Sequence, residues 1–332
     1  MPTSCILGPA APRVLTVPGA QGRKPRAENR GPKPKAQSPK PQRIQPRSYH
    51  GQNVEMLISP VLALVLFLIG GVAGLLGALL GLGGGVFLVP FFVLVLHMPM
   101  HMAVGVSLIT VVGTSSVVSA GTAGRRLMNL RLGMTLEVAT SAGALMGGIV
   151  ATTLSARTLQ GLFGVVAAAT AAVMLTRLDR RNVRPIGTGT QPGRLGGRFY
   201  DPESGGEVVY SVRRLPLGLA ASLVAGSISS LLGVGGGIIK VPVLNAWCGV
   251  PLRAAAATSA FMIGVTATVG AFIYFWHGDV VPAIAAAAVL GVLAGSEAGF
   301  VIAARARARW LKLLMAAVLF IVSGLMLARA VV

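Results

Sequence analysis

Leu80-Gly81-Leu82-Gly83-Gly84-Gly85-Val86-Phe87-Leu88-Val89-Pro90 lies inside a long apolar run, and 152 residues later the chain reads Leu232-Gly233-Val234-Gly235-Gly236-Gly237-Ile238-Ile239-Lys240-Val241-Pro242. The correspondence continues at the same offset, with Pro99 over Pro251, Ala103 over Ala255, Ser107 over Ser259 and Thr114 over Thr266. The pattern reads as an internal duplication. Glycine- and proline-interrupted segments at matching places in two apolar halves point to a solute site, because a broken helix exposes backbone groups that can hold a solute.

Composition fixes the setting. Of 332 residues 54% are hydrophobic and 11% charged, against about 25% charged in soluble domains, and the mean hydropathy is +0.75. This is the balance of an integral membrane protein. Its 44 glycines suit helices that associate in lipid through close van der Waals contact.

A net charge of +20 invites a nucleic-acid reading, but 10 of the 29 basic residues precede Met56 and eight more lie between Arg177 and Arg214. They flank apolar segments instead of building a basic domain, as expected of Lys and Arg retained on a cytoplasmic face beside anionic lipid. No nucleic-acid partner is expected. Cys5 and Cys248 are the only cysteines, too few for a disulfide framework or a zinc site.

Four regions follow. Residues 1–55 are basic and rich in proline without apolar periodicity, the composition of a disordered tail; Met56, opening directly on the first apolar run, is an alternative start. Residues 56–176 form a first transmembrane repeat, 177–214 a polar basic linker and 215–332 a second repeat. Leu57 to Leu80 is an uncharged stretch of 24 residues, about 36 Å as a helix and enough to span a bilayer. Val86 to Leu96 is too short to cross comfortably and reads as a half-helix, tolerated where it is buried in protein or lines a cavity. Met102 to Ala123, Leu132 to Leu154 and Thr158 to Leu175 complete the first half. Leu215 to Leu232, the short Ile238 to Trp247, Ala254 to Trp276, Val280 to Ala304 and Trp310 to Val332 repeat the plan. The expected fold is all-α: a polytopic helical membrane protein with two duplicated halves of about four transmembrane helices, each with a glycine-interrupted short helix.

Eight full crossings would place the tail, the Arg125/Arg126/Arg131 loop and the linker on one side, with both termini cytoplasmic, but would leave Arg305, Arg307 and Arg309 outside. If the short segments also cross, the halves become inverted relative to each other. Charge favours the first arrangement and symmetry the second.

The doubled glycine motif ending in Val-Pro, the small-residue helix after it carrying Thr258-Ser259 or Val106-Ser107, and the four-segment repeat resemble the sulfite exporter TauE/SafE family, also called the 4-toluene sulfonate uptake permeases. The resemblance covers about Leu57 to Val332. It implies a permease of the cell membrane for small inorganic or organic anions such as sulfite, sulfonates or sulfoacetate, coupled to the proton gradient.

The residues read in the same direction. Gly83, Gly84 and Gly85, with Gly235, Gly236 and Gly237, can adopt positive φ and let amides converge on an anion, while a following helix N-terminus adds favourable partial charge; helix packing alone is the alternative for any one of them. Lys240 stands in an apolar segment where its duplicate is Leu88. A lysine at the centre of a membrane helix costs roughly 2.5–3.5 kcal/mol on insertion scales, so it is expected to face a cavity or a partner; snorkelling is the alternative. Ser107 and Ser259 offer hydroxyl donors at duplicate positions. Glu297, in Gly295-Ser296-Glu297-Ala298-Gly299, is the expected proton-coupling group or partner of Lys240, with Glu137 ranked below it because it lies nearer its loop. No catalytic residue, metal site or cofactor is expected, since no zinc-protease, serine-hydrolase or nucleotide-binding signature occurs. The substrate partner is a small anion in a lipid bilayer, self-association is left open, and a non-transporting membrane scaffold is the alternative class.

Overall fold

The computed structural model describes residues 59–80, 83–123, 127–176, 193–201, 206–303 and 308–331; the tail expected over 1–55 lies outside them. Ten helices and one hairpin follow in the order α1 (Pro60–Leu80), α2 (Gly85–Leu94), α3 (Met100–Ala123), α4 (Leu130–Thr153), α5 (Ala156–Thr176), β1 (Gly197–Asp201), β2 (Gly206–Tyr210), α6 (Leu215–Leu232), α7 (Gly237–Ala246), α8 (Leu252–Trp276), α9 (Pro282–Ala303) and α10 (Ala308–Val331). Seven of these are long and apolar enough to cross a membrane, and α10 contributes the shorter apolar stretch Ala316–Ala330. Exposed apolar side chains such as Val138, Val61 and Phe272 cover the outside, the surface a bilayer would solvate. Trp247 and Trp276 are exposed at the ends of α7 and α8.

Four helices of the first half begin at Gly85, Met100, Leu130 and Ala156, and their counterparts at Gly237, Leu252, Pro282 and Ala308 each start 152 residues later. The short helices α2 and α7 each contain a proline, Pro90 and Pro242, which removes the hydrogen bond to the carbonyl four residues before, and just beyond their ends the chain takes positive φ at the matching positions His97 (+52°) and Gly249 (+72°).

Packing crosses between halves. On α4, Gly143 and Gly147 lie against Leu223 and Ser227 of α6, while on α9 Gly295 and Gly299 lie against Gly71 and Leu75 of α1. These two interfaces correspond residue for residue at the 152-residue offset. A Cβ at any of the four glycines would strike the facing backbone, so the close approach of the helices depends on their absence.

The direction of each helix follows from its neighbours. Gly105 of α3 lies beside Tyr274 at the end of α8, whereas Ser115, further along α3, donates to the carbonyl of Ala260 near the start of α8 at 2.6 Å. Thus α3 and α8 are antiparallel. In the same way Gly161 faces Ala330 and Gly164 faces Leu327, so α5 and α10 are antiparallel too. Corresponding helices run in opposite directions, and the halves are inverted.

This corrects the eight-crossing arrangement. Ala78 near the end of α1 packs with Val118 near the end of α3, so α1 and α3 run parallel and α2 returns between them. The start of α1 therefore lies at the opposite end of the bundle from the α3–α4 connection. At that second end also lie the hairpin and the starts of α6, α8 and α10, with Arg131, Arg194, Arg198, Arg213, Arg214 and Arg253; Arg157 and Arg329 lie towards the other.

Inside the segment expected only as a polar linker, β1 and β2 pair antiparallel with Gly197 opposite Tyr210. Phe199 and Tyr210 are buried with Leu132, Leu136, Leu244, Cys248 and Val250. The hairpin is thereby docked over the outer end of α7.

Candidate functional site

Both glycine turns come to the middle of the bundle. Gly83 has φ +77° and its Cβ position faces Val111, halfway along α3; Gly233 has φ +72° and faces Val89 and Val104. A Cβ on Gly85 would run into the Gly233 carbonyl oxygen, so the turns touch. Ser107 Oγ donates to that same carbonyl at 3.0 Å. Of the six glycines expected to allow positive φ, Gly83, Gly235 and Gly236 adopt it, Gly233 adopts it in addition, and Gly84 is helical at φ −66° as the N-cap of α2. Gly85 and Gly237 are the first residues of α2 and α7. Their part is to bring two helix N-termini to the bundle centre, where free N–H groups favour negative charge.

Lys240 is the next turn of α7. It is fully buried, and its Nζ donates to Thr266 Oγ1 at 3.1 Å. Thr266, mid-way along α8, in turn lies 2.8 Å from Glu137 Oε1 and 2.7 Å from the carbonyl of Met262. A hydroxyl has one hydrogen to give, so Thr266 accepts from Lys240 and chooses between the two acceptors. Ser141 Oγ also donates to Glu137 Oε1, at 3.2 Å. Glu137 Oε2 is buried with no hydrogen-bond partner.

Lys240 thus meets Glu137, through Thr266, and not Glu297. Glu297 is exposed on the outer face of α9. Ser259 is buried with its Oγ unpartnered, as are the Oγ atoms of Ser229 and Ser230. Glu137 ranked low as a sequence feature, yet the spacing Glu137, Thr140, Ser141 puts three polar groups on one helical face, a signal that they point inward together. The counterparts of Lys240 and Glu137 at the 152-residue offset are Leu88 and Val289, and that of Thr266 is Thr114, whose hydroxyl bonds its own helix at Thr110. Lys240 comes from the second half and Glu137 from the first, and neither charge recurs at its duplicate position.

The interior is tightly closed around the first turn. The space lined by Gly77, Gly83, Thr114, Ser115, Val118, Ala260 and Ile263 is about 10 Å³, room for about one water molecule. A larger cavity of about 250 Å³ opens at the hairpin, lined by Asn129, Arg131, Gly197, Arg198 and Tyr210 among others. Asn129 organises it: Nδ2 donates to Leu195 O at 2.9 Å and to Tyr210 Oη at 3.1 Å, while Oδ1 caps α4 by accepting from Leu132 N. Burial pushes the Tyr210 phenol above its ordinary range, and the Asn129 hydrogen bond opposes that rise.

Comparison with known proteins agrees with this architecture. The family model for the sulfite exporter TauE/SafE matches residues 66–326. The chain belongs to the TauE/SafE family. That match takes in both glycine turns, Lys240, Glu137 and the hairpin. Among curated proteins, the chain is 24% identical over 265 residues to the probable membrane transporter protein YunE of Bacillus subtilis (strain 168), covering 78% of this chain and 94% of that protein. No solved structure matches. This TauE/SafE member is a multi-pass membrane transporter.

Proposed function

We propose that this protein is a secondary transporter that moves small anions, such as sulfite or organosulfonates, across the cytoplasmic membrane and couples their movement to the proton gradient. The observation that carries the reading is a fully buried Lys240 one turn beyond Gly235-Gly236-Gly237, where the two glycine turns meet at the bundle centre. A buried ammonium beside helix N-termini attracts an anion, and the cost of keeping it in an apolar interior is offset by such a partner.

In this reading Gly83, Gly84, Gly85, Gly235, Gly236 and Gly237 shape the substrate site, Lys240 supplies its charge, and Ser107 and Ser259 line it with hydroxyls. The unpartnered Ser259 Oγ is a free donor for an oxyanion. The bundle end that carries Arg131, the hairpin and the starts of α6 and α8 faces the cytoplasm, following the bias of Lys and Arg. The start of α1 and the end of α10 then face the other side, a reversal of the orientation expected when α2 was taken not to cross. The closed packing around Gly83 corresponds to an occluded conformation, and access alternates by movement of one half against the other.

The test is flux. Purified protein in proteoliposomes is expected to take up sulfite saturably and faster under an imposed pH gradient, and Lys240→Ala, shown to be inserted and monodisperse, is expected to lose that uptake. Full flux in Lys240→Ala would remove Lys240 from the site.

A further inference from the structure

Within the described membrane-spanning helices there are two carboxyl groups, Glu137 and Glu297, and they differ in every respect that matters to a coupled site. Glu297 is exposed on the periphery, whereas Glu137 is 7% exposed, joined to Lys240 through a single hydroxyl, and has one oxygen with no partner. We propose that Glu137 is the proton-binding group of the transport cycle, and that in the empty protein its carboxylate stands in for the transported anion at Lys240. The proposal rests on the anion-transport reading above.

A complete account of the charges around Glu137 is short. From α7 comes Lys240 and from α8 Thr266; on α4 itself Ser141 donates to it and Thr140 bonds back to Leu136 O. The α6 face packed on α4 has no titratable side chain along Leu215–Leu232. Cys248 and Tyr210, buried in one cluster with Leu136, and Arg131, exposed in the first turn of α4, are the remaining titratable groups near this end of α4. Lys240 is therefore the sole cation facing the carboxylate among the described residues, and the carboxylate the sole anion facing Lys240.

Such a pair is neutral as a whole. When a proton binds Glu137, an O–H bond forms on the carboxylate, its negative charge disappears, and Lys240 is left as an uncompensated buried cation. A monoanion entering at that moment restores neutrality, and its departure makes the proton leave, because the ammonium again requires a counter-charge. Thr266 permits the exchange without breaking its bond to Lys240: with Glu137 ionised its hydrogen points to Oε1, and with Glu137 protonated it turns to the Met262 carbonyl, 2.7 Å away. The loaded and the empty site both carry zero net charge. The transported species is thus a monoanion, hydrogensulfite or an organosulfonate, moving with one proton and no net charge; a doubly charged anion would leave the site negative and is excluded.

The experiment uses full-length protein in proteoliposomes with sulfite and methanesulfonate as probes, measuring net uptake under a pH gradient, anion exchange without one, and internal pH by a trapped dye. The wild type is expected to move one proton per monoanion, with an initial rate that changes by less than about twofold under an imposed potential of about 100 mV, where an uncompensated charge would change it by about tenfold or more. Glu137→Gln, a permanent mimic of the protonated carboxyl, is expected to exchange anion for anion at a rate independent of pH and to lose gradient-driven accumulation by about tenfold or more. Gradient-driven accumulation intact in Glu137→Gln, its loss in Glu297→Gln instead, or anion uptake without proton movement in the wild type would overturn the proposal while leaving anion transport standing. Absence of flux and exchange for both probes in the wild type would overturn the transport reading and this proposal with it.

Discussion

Arg329, near the end of α10, donates from Nη1 to the carbonyl oxygen of Val93 at 2.6 Å. That carbonyl belongs to the last turn of α2, where unsatisfied carbonyls and the helix dipole both favour a cation. Helix α10 thus holds the outer end of the half-helix whose inner end forms the first glycine turn. Arg329→Gln is expected to destabilise the protein by about 1.5–3 kcal/mol, the range for a hydrogen bond with a charged donor, seen as a lower thermal midpoint in detergent. An unchanged midpoint would mean that α2 is held by its apolar contacts alone.

Lys240→Ala leaves Glu137 as a buried charge without its partner, a change that costs roughly 3–5 kcal/mol. The double variant Glu137→Leu/Lys240→Met removes both charges and is expected to regain most of that stability while transporting nothing. Denaturation monitored by tryptophan fluorescence, with flux measured on the same preparations, separates the two effects. Flux restored in the double variant would make the pair structural only.

Gly85→Ala places a methyl group against the Gly233 carbonyl and within 2.7 Å of Ser107 Oγ. Overpacking of this kind costs about 1–3 kcal/mol, and here it also pushes the two turns apart. Lower yield of folded protein and reduced flux are expected together; the same substitution at Gly193, where nothing lies within 4 Å, is expected to change neither. Wild-type stability in Gly85→Ala would show that the turns do not need their contact.

The inverted arrangement is checked by labelling. With Cys5 and Cys248 replaced, Ser59→Cys and Gly193→Cys are expected to react with a membrane-impermeant thiol reagent from opposite sides of sealed vesicles. Labelling of both from the same side would return the chain to eight crossings.

Asn129→Ala removes the N-cap of α4 and both hydrogen bonds that pin the hairpin. A lost cap alone costs about 0.5–2 kcal/mol. Hydrogen exchange is expected to accelerate selectively in Gly206–Tyr210 and in the first turn of α4, and uniform protection there would assign the docking to Phe199 and Tyr210 instead.

Much of this was legible because the determinants are local. Apolar runs bounded by glycine, proline and arginine marked the helices, so that Leu215 to Leu232 coincides with α6 and the others agree within a few residues. The duplicate glycine motifs located both half-helices. The partner of Lys240 was not legible, because Glu137 and Thr266 lie on different helices 129 residues apart, and their meeting is decided by how α4 packs on α8. Helix direction was hidden for a related reason: hydropathy treats a ten-residue helix as too short to count as a crossing, while the parallel packing of α1 on α3 shows that it reverses the chain. The hairpin left a faint trace in the strand-forming residues Phe199-Tyr200 and Val208-Val209-Tyr210, outweighed by the basic residues around it.

The charged pair bridges the two halves but has no charged counterpart at the duplicate positions, and that difference has an experimental use. Leu88, Thr114 and Val289 reproduce the backbone stage of Lys240, Thr266 and Glu137 with its actors removed, so every molecule contains its own reference compartment. Transplanting Lys to 88 and Glu to 289 while erasing the original pair would ask whether vectorial behaviour is written in the scaffold or in which face of it bears the ionisable groups, and the answer would be read as a reversal of sidedness in a protein whose outline had not changed.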